Sequence, residues 1–409
     1  MVKHLVKRYM NKDTFCVMPW RGTTIDNFGK LNVCCSFDND ATPKLFPTPA
    51  PIDNYKFWKI KMLEPLRQQM INGKRPPGCH KCFGVEDANT GSLSDRQIMN
   101  ASYDVDQTLD QFDTSVTDQI HYLFISFGNI CNLRCNMCSP GSSSAWNTEV
   151  KQHALELSKF KKPIDNEFFN WVGAVNIDEI IPNINQHLIT VTLLGGEPLF
   201  SPDGINFLEQ LPANIELSVV TNGTTLKDSS YRTLSKFDAT RVMVSIDGIG
   251  LHNDYVRYGS KWDEVQENLS KLTHLPNLKS LFIYYILQHY SYHTLIPVLQ
   301  YCLDNQYIIR IQPVTWHQYM TVNTLAPSQR DDLLERLDQF VIQNTCDNNY
   351  INVAIDYVKS VLTTQYNFDP DGRSKFIEFT QSIDSIRKLS FSQAFGEELC
   401  IDNNVSKTL

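Results

Sequence analysis

The chain has 409 residues, of which 42% are hydrophobic and 20% are charged, so it is long enough to bury a sizeable core and to divide into two or three units. Its net charge is −8 and it has no long basic run, so its composition does not indicate binding to nucleic acid or to an anionic membrane. No stretch approaches the roughly 18 apolar residues of a membrane helix, and the first residues lack the apolar core of a signal peptide. We therefore expect a cytoplasmic globular protein without a membrane partner.

Eleven cysteines are present. An odd number of cysteines in a long chain without a secretion signal argues against a disulfide framework, and clustered cysteines then indicate metal ligands. Cys302, Cys346 and Cys400 stand alone in the sequence, and we expect them to be ordinary free thiols.

Residues 1–118 differ in character from the rest of the chain. They contain a proline-rich loop, "NDATPKLFPTPAPIDN", a helical segment, "YKFWKIKMLEPLRQQMINGK", and an acidic connector, "SYDVDQTLDQFDTSVTDQ". The cysteines of this region are Cys16, Cys34, Cys35, Cys79 and Cys82. We predict a small, separate, cysteine-rich α+β domain here.

From residue 119 the chain alternates short β-branched runs with longer amphipathic stretches, which is the pattern of repeated βαβ units. Such strands form an open sheet or a barrel, with chemistry at their carboxyl ends. Six strands are predicted, at 121–127, 190–195, 215–221, 241–246, 278–287 and 308–314. The predicted helices are 141–160, capped by Ser142, Ser143 or Ser144, then 202–211, 229–237, 261–275 and 292–305.

This second unit is expected to end near residue 325. The segment "SQRDDLLERLDQFVIQN" after Pro327 predicts a helix, which opens a C-terminal helical extension over residues 326–409. Residues 163–184 are expected to form an insertion or an enlarged helical crossover.

The stretch "FGNICNLRCNMCSPGSSSAW" places Cys131, Cys135 and Cys138 in one loop after the first predicted strand of the repeats. A structural zinc site fills all four positions with protein ligands, whereas this loop supplies three. An iron–sulfur cube held by three thiolates keeps one iron open for other ligands. The CxxxCxxC spacing resembles the defining motif of the radical S-adenosylmethionine (SAM) superfamily; a zinc knuckle is the alternative.

Further motifs carry the same resemblance. "GGEP" follows the second of these strands, "VVTNG" ends the third, and "VSIDG" ends the fourth. Glycines in the first would let the backbone approach SAM closely, and its glutamate would supply a carboxylate for the SAM ammonium. Each motif alone could be an ordinary turn. The resemblance implies that SAM is bound by Met137, Gly195, Gly196, Glu197, Pro198, Thr221, Asn222, Ser245, Asp247 and Arg257.

The resemblance implies a partial (β/α)6 TIM-type barrel and a reductive mechanism. An electron from a donor such as flavodoxin or ferredoxin would pass through a 4Fe-4S cluster to SAM, and the resulting 5′-deoxyadenosyl radical would abstract hydrogen from the substrate. We expect a peptide or protein side chain as the substrate, with a small metabolite or nucleotide as the alternative. The alternative from a different functional class is a non-catalytic iron–sulfur or zinc protein with the same fold.

The N-terminal cysteines resemble the twitch or SPASM accessory domain of radical SAM enzymes. Cys16 precedes "MPW", Gly29 stands five positions before Cys34, and Cys79 with Cys82 makes a CxxC pair. The resemblance implies one auxiliary 4Fe-4S cluster, with Cys35 as the alternative to Cys34. Such a domain normally follows the barrel, whereas here it precedes it. Four thiols suit a zinc ribbon equally well.

Overall fold

The computed structural model describes residues 13–41, 50–51, 55–89, 93–102, 115–169, 184–344 and 349–396. Cys346 and Cys400 lie outside these ranges, as do most of the proline-rich loop, most of the acidic connector and most of the insertion expected at 163–184.

One open sheet of nine strands, in the order β3-β2-β1-β4-β5-β6-β7-β8-β9, organises the described part of the chain. The strands are β1 (Gly22–Ile25), β2 (Lys30–Asn32), β3 (Ala50–Pro51), β4 (Tyr122–Ser126), β5 (Thr190–Leu194), β6 (Glu216–Thr221), β7 (Ala239–Ser245), β8 (Leu278–Leu287) and β9 (Ile308–Pro313). Neighbours from β1 through β4 to β9 are parallel, whereas β2 and β3 pair antiparallel. The six predicted strands are β4 to β9, so the expected parallel α/β architecture is confirmed.

Helices connect the parallel strands from β4 to β9 as crossovers, and further helices precede and follow them. The helices are α1 (Met18–Arg21), α2 (Tyr55–Phe57), α3 (Glu64–Ile71), α4 (His80–Ala88), α5 (Asp95–Ser102), α6 (Ser144–Gln152), α7 (Ala154–Leu157), α8 (Ile184–His187), α9 (Pro202–Gln210), α10 (Asp228–Leu234), α11 (Leu251–Val256), α12 (Trp262–Thr273), α13 (Ser291–Asp304), α14 (Pro327–Gln343), α15 (Asn349–Ser360), α16 (Pro370–Arg387) and α17 (Phe391–Phe395). Of the three candidate serines, Ser143 caps α6, because its hydroxyl accepts from the backbone N–H of Trp146 at 3.1 Å.

Side chains on the parallel strands alternate between two faces, as the pleat requires. On one face, apolar residues are buried beneath the helices; Val191 and Leu193 of β5 and Leu217 and Val219 of β6 are examples. The opposite face lines a cavity of about 1500 Å³, which we call the chamber. It carries polar residues on neighbouring strands, such as Thr192 and Ser218, so it can accept a polar ligand.

The N-terminal segment joins the same sheet. β1 runs parallel to β4, with Gly22 opposite Tyr122 and Ile25 opposite Ile125, and the N-terminal aromatic residues belong to the core that packs beneath the strands. The sheet therefore has a seventh parallel strand besides the six that were predicted. The domain boundaries expected near 118 and 325 remain predictions, but strands from both sides of the first one share a single sheet.

The C-terminal helix α16 packs against the loop that follows β4. Phe376 and Phe379 of this helix share a second apolar core with Cys131, Cys135 and Trp146. The C-terminal extension thus lies beside the predicted cluster loop. No helix among the described residues is long and apolar enough to cross a membrane.

Candidate functional site

The three thiols of the loop after β4 lie together. Cys131 and Cys135 are buried and Cys138 is half-buried, and each thiol is an electrostatic neighbour of the others. Burial raises the pKa of Cys131 to about 12. Because thiolates rather than thiols bind metal, loading this loop with iron would release protons.

Backbone hydrogen bonds hold this loop to the end of α11, and a further hydrogen bond lies within the loop. The N–H groups of Arg134 and Asn136 donate to the carbonyls of Tyr258 and Val256, each at 2.8 Å, in the segment at the end of α11. Within the loop, the N–H of Leu133 donates to Cys131 Sγ at 3.4 Å. The loop is therefore ordered by the protein itself.

Gly196 of the "GGEP" motif lies against the start of the thiol loop, whereas a Cβ on Gly195 would meet Asn27 and Ser126. Gly195 and Gly196 have φ angles of +78° and +52°, a conformation that favours glycine. A Cβ on Gly196 would lie 2.3 Å from the carbonyl oxygen of Ile130, and the N–H of Glu197 donates to that same oxygen at 2.8 Å. Close contact between two loops of this chain is thus one physical reason for glycine here.

Glu197 ties the end of β5 to the end of β6. Its carboxylate accepts from the hydroxyl of Thr221 at 2.7 Å and from the backbone N–H of Asn222 at 2.5 Å. Burial raises the pKa of Glu197 to about 7, although these hydrogen bonds act in the opposite direction. A ligand ammonium at Glu197 would therefore have to share a carboxylate that already serves Thr221 and Asn222. Pro198 is buried next to it.

Asp247 and Arg257 form a buried ion pair beside the thiols. Arg257 Nη2 lies 2.7 Å from Asp247 Oδ2, and Arg257 Nη1 lies 3.8 Å from Cys135 Sγ. Burial opposes the charge on Arg257, but Asp247 and the Cys135 and Cys138 thiols raise its pKa overall. Ser245, at the carboxyl end of β7, is buried two residues before Asp247. The predicted residues of β5, β6 and β7 thus converge on the thiol loop.

Buried charged side chains that the motifs do not include lie behind the loop. Lys161 Nζ donates to the carbonyls of Asn136 and Cys138 and lies 3.2 Å from His317 Nε2. Burial lowers the pKa of Lys161 to about 7, and the Cys138 thiol acts in the opposite direction. Arg387, at the end of α16, lies 2.7 Å from Glu149 of α6.

Sequence reasoning missed Glu149, Lys161 and Arg387. One signal was available for Glu149: it lies between Trp146 and Val150 on the helix face that packs inward, where a charged residue needs a buried partner.

Met137 and the aromatic residues after β9 meet at the loop. Met137 is buried, and its carbonyl accepts from Trp316 Nε1 at 2.7 Å. Trp316 also lines the chamber, so this side chain contacts both the thiol loop and the chamber. Tyr319 is buried and packs against Phe160 and Phe379.

The residues present fit a 4Fe-4S cluster with an open iron. The loop supplies three converging thiols, and the buried guanidinium of Arg257 faces one of them, which suits the negative charge of a thiolate-bound cluster. No three Cys, His, Asp or Glu side chains in the described ranges already surround a point where a single metal ion would fit.

The N-terminal thiols also gather at one place. Cys34 has Cys16, Cys79 and Cys82 among its electrostatic neighbours, and the four are buried or half-buried. Burial raises the pKa of Cys16 to about 12. Gly29 occupies the turn between β1 and β2 with a φ of +70°. This hairpin carries the chain towards Cys34.

The adjacent thiol, Cys35, is an electrostatic neighbour of Cys34 and Cys82 but is more exposed than the other four. Cys35 is exposed and faces the ion pair of Asp95 and Arg310. All five N-terminal cysteines line the chamber together with the inward face of the sheet. The geometry therefore favours Cys34 over Cys35 as the fourth member of the N-terminal thiol set.

Comparison with solved structures gave partial matches. SuiB of Streptococcus suis, bound to the precursor peptide SuiA, is 15% identical with a TM-score of 0.37, and the match covers 73% of this chain and 65% of that one. TYW1 with a lysine-pyruvate adduct bound is 17% identical with a TM-score of 0.29, and the match covers 51% of this chain and 70% of that one.

Among curated proteins, the chain is similar to GTP 3′,8-cyclases. It is 32% identical to that of Campylobacter jejuni subsp. doylei over 34% of this chain and 37% of the relative. It is 30% identical to that of Nostoc sp. over 36% of this chain and 44% of the relative. The chain thus spans about two fifths of the length of these relatives.

Residues 125–302 match the sequence profile of the radical SAM superfamily. The matched segment begins in β4 and ends in α13, so it contains the thiol loop, the "GGEP" motif and the Asp247–Arg257 pair. Members of this superfamily use a 4Fe-4S cluster and SAM, for which the loop has a fitting donor set. This part of the chain, from β4 to α13, is therefore similar to the radical SAM superfamily.

Proposed function

We propose that this protein reductively cleaves SAM at a 4Fe-4S cluster held by Cys131, Cys135 and Cys138. When bound, the cluster and SAM supply the radical that abstracts hydrogen from a substrate. The observation that carries the proposal is the convergence of three thiols of one loop beside a buried arginine, which lies 3.8 Å from Cys135 Sγ. An electron donor such as flavodoxin or ferredoxin would provide the electron.

The residues around the loop would bind the methionine end of SAM. Arg257 is a buried cation suited to the SAM carboxylate, and Asp247 fixes its orientation through a contact of 2.7 Å. Glu197 is a buried carboxylate suited to the SAM ammonium, and Thr221 and Asn222 hold it in place. Gly196 brings its backbone close to the loop, and Gly195, Ser245, Pro198 and Met137 complete the set.

The chamber would hold the substrate. Trp316, which donates to the carbonyl of Met137, is part of its wall, and hydroxyl and amide side chains such as Thr192, Ser218 and Gln312 lie on its sheet face. Among substrate classes, a nucleotide or another small metabolite has the better support, because the curated relatives are GTP 3′,8-cyclases.

A peptide or protein side chain is the second candidate. The observation in its favour is the volume of the chamber, about 1500 Å³, which exceeds the roughly 300–1,000 Å³ typical of small-molecule pockets. An auxiliary cluster would occupy part of that volume.

We further propose that Cys16, Cys34, Cys79 and Cys82 hold an auxiliary 4Fe-4S cluster, with zinc as the alternative metal. Their support is the convergence of four thiols at one wall of the chamber. With four protein ligands the group would have no open position, and would serve electron transfer or structure.

Anaerobically reconstituted protein tests the proposal. With SAM and dithionite we expect 5′-deoxyadenosine, and we expect none from Cys135→Ala. Cys302→Ala is the matched control, because Cys302 is a buried thiol that packs in the apolar core of α13. Wild-type protein that binds a cluster at the loop but never cleaves SAM would instead support the non-catalytic iron–sulfur alternative.

A second measurement separates the substrate classes. The rate of 5′-deoxyadenosine formation is compared with purine nucleotides and with a peptide library as additions. A nucleotide that accelerates cleavage and transfers deuterium from its ribose or base into 5′-deoxyadenosine supports the first candidate. Transfer only from a deuterated peptide would support the second.

A further inference from the structure

Side chains hold the thiol loop by its carbonyl groups. Seven of the eight backbone carbonyls from Cys131 to Cys138 accept a hydrogen bond from a side chain. The donors are Ser144 to Cys131, Ser143 to Leu133, Arg387 to Arg134, Trp146 to Cys135, Lys161 to Asn136 and Cys138, and Trp316 to Met137. An eight-residue loop without regular structure therefore has almost all its acceptors fixed by the surrounding scaffold.

Two of these donors carry a positive charge and are buried. Lys161 is 2% exposed and Arg387 is 7% exposed. Their charged groups flank the ring of Trp146, with Lys161 Nζ at 4.7 Å and Arg387 Cζ at 4.6 Å from the ring centroid. The Trp146 Nε1 donates to the carbonyl of Cys135 at 2.7 Å. Both cations thus reach the middle of the loop directly and also through one shared aromatic ring.

Arg387 contacts three groups at once. It bonds both carboxylate oxygens of Glu149, the side-chain oxygen of Asn136 at 2.7 Å and the carbonyl of Arg134 at 3.1 Å. Glu149 offsets the charge of Arg387, whereas the bonds that Lys161 makes go to neutral acceptors and His317. Glu149 also pairs with Arg134 at 3.2 Å, so one carboxylate serves two arginines and the scaffold behind the loop retains an excess of positive charge.

We propose that Lys161 and Arg387 are positioning residues, which hold the thiol loop in its cluster-binding shape and raise the reduction potential of the cluster bound there. The inference rests on the proposed function, because it concerns the cluster at Cys131, Cys135 and Cys138. A buried cation near a cluster stabilises the added electron, since the low dielectric of the interior weakens screening. Arg387 comes from the C-terminal extension, so this helix becomes part of the cluster site.

Lys161→Met and Arg387→Met test the proposal, with Lys159→Met as the matched control. Lys159 lies two residues from Lys161 and pairs with Glu378 of α16, but this ion pair is half-exposed and on the surface. The control therefore removes a cation that links the same two segments without touching the loop. The signal of the loop cluster is identified as the electron paramagnetic resonance signal that is absent from Cys135→Ala.

Two readouts other than activity are measured on anaerobically reconstituted protein. Competition with a chelator measures how tightly each protein holds iron. We expect the iron affinity of each Met variant to be about 10-fold or more below that of wild type, as is typical when a group that supports a metal ligand is removed. We expect the midpoint potential of the loop cluster to become more negative in both Lys161→Met and Arg387→Met. Lys159→Met should match wild type in both.

Conservative variants keep the proposal testable if a Met variant does not fold. Lys161→Arg retains the charge and should retain the potential. Arg387→Lys retains a charge but cannot span Glu149, Asn136 and Arg134 together, so we expect weaker iron retention with little change in potential. Equal iron retention and equal potential in all these variants would overturn the inference while the proposed function stands. A wild-type protein without a cluster at the loop would overturn the proposed function itself.

Discussion

Arg257 links an acidic side chain to a thiol: one nitrogen of its guanidinium lies 2.7 Å from Asp247 Oδ2 and another lies 3.8 Å from Cys135 Sγ. Both charged side chains are buried. The carboxylate of Asp247 also accepts from the backbone N–H of Ile286 at 2.7 Å, which fixes it on the neighbouring strand. The orientation of Arg257 towards the loop is thus set by β7 and β8 together.

Arg257→Gln should destabilise the protein through Asp247. Removing one partner of a buried ion pair leaves the other uncompensated, which costs about 3–5 kcal/mol. Urea unfolding of the metal-free protein measures the change. The double variant Asp247→Asn/Arg257→Gln should lose less unfolding free energy than Arg257→Gln alone, because it leaves no uncompensated buried carboxylate. Lys261→Gln, which removes an exposed cation paired with Glu264, is the control and should leave stability unchanged. A cost in Arg257→Gln no larger than in this control would contradict the prediction.

Glu197 should make the stability of the metal-free protein fall as pH rises. Burial raises the pKa of Glu197 to about 7 from its ordinary value of 4.5. Between these two pH values the folded state keeps a proton that the unfolded state releases, so the free energy of unfolding decreases by about 1.4 kcal/mol for each pH unit. Urea unfolding at several pH values should show a shallower decrease in Glu197→Gln than in wild type. Parallel curves for the two proteins would rule out the raised pKa.

Gly196→Ala should displace the thiol loop. Its Cβ would lie 2.3 Å from the carbonyl oxygen of Ile130, in addition to the strain of a φ of +52°. Gly396→Ala is the matched control, since Gly396 has a φ of +74° and a Cβ there meets nothing within 4 Å. The control isolates the backbone strain, about 1–2 kcal/mol. We expect a larger loss of stability in Gly196→Ala, with less iron bound at the loop. Equal losses in the two variants would mean that the close contact is not needed.

Cys79→Ala and Cys35→Ala should separate the N-terminal thiols. Cys79 lies among the gathered thiols, whereas Cys35 is exposed and faces Asp95 and Arg310. We expect Cys79→Ala to lower the iron content while the loop cluster remains, and Cys35→Ala to retain both. Metal analysis with electron paramagnetic resonance checks this. Loss of zinc from Cys79→Ala would show that the site holds zinc and not an auxiliary cluster. Loss of iron from Cys35→Ala would show that Cys35 is the ligand in place of Cys34.

The strands β4 to β9 could be predicted because their signals are local. Short runs of β-branched residues, separated by helices of ordinary length, indicate parallel strands wherever they occur. The thiol loop was equally visible, since its three cysteines lie within eight residues of one another. The contacts of Glu197 were not visible, because Thr221 and Asn222 are adjacent to it only once β5 and β6 pair.

The pairing of the N-terminal strand β1 could not be predicted. Its cysteine spacing predicted a gathered set of thiols, but nothing in the residues of β1 specifies that this strand pairs with β4, about a hundred positions later. Strand pairing depends on which edges and apolar faces remain to be covered, and that is decided by the whole molecule.

The sequence alone determined the parallel sheet, the motifs that resemble the radical SAM superfamily and the thiols proposed to bind a cluster, because short-range patterns of apolar residues, glycines and thiols specify these features. Only the tertiary structure decided that Arg387 meets Glu149 across 238 positions and that Lys161 lies behind Cys138. Buried charges must find partners, and which partners are within reach depends on how the helices pack around the loop.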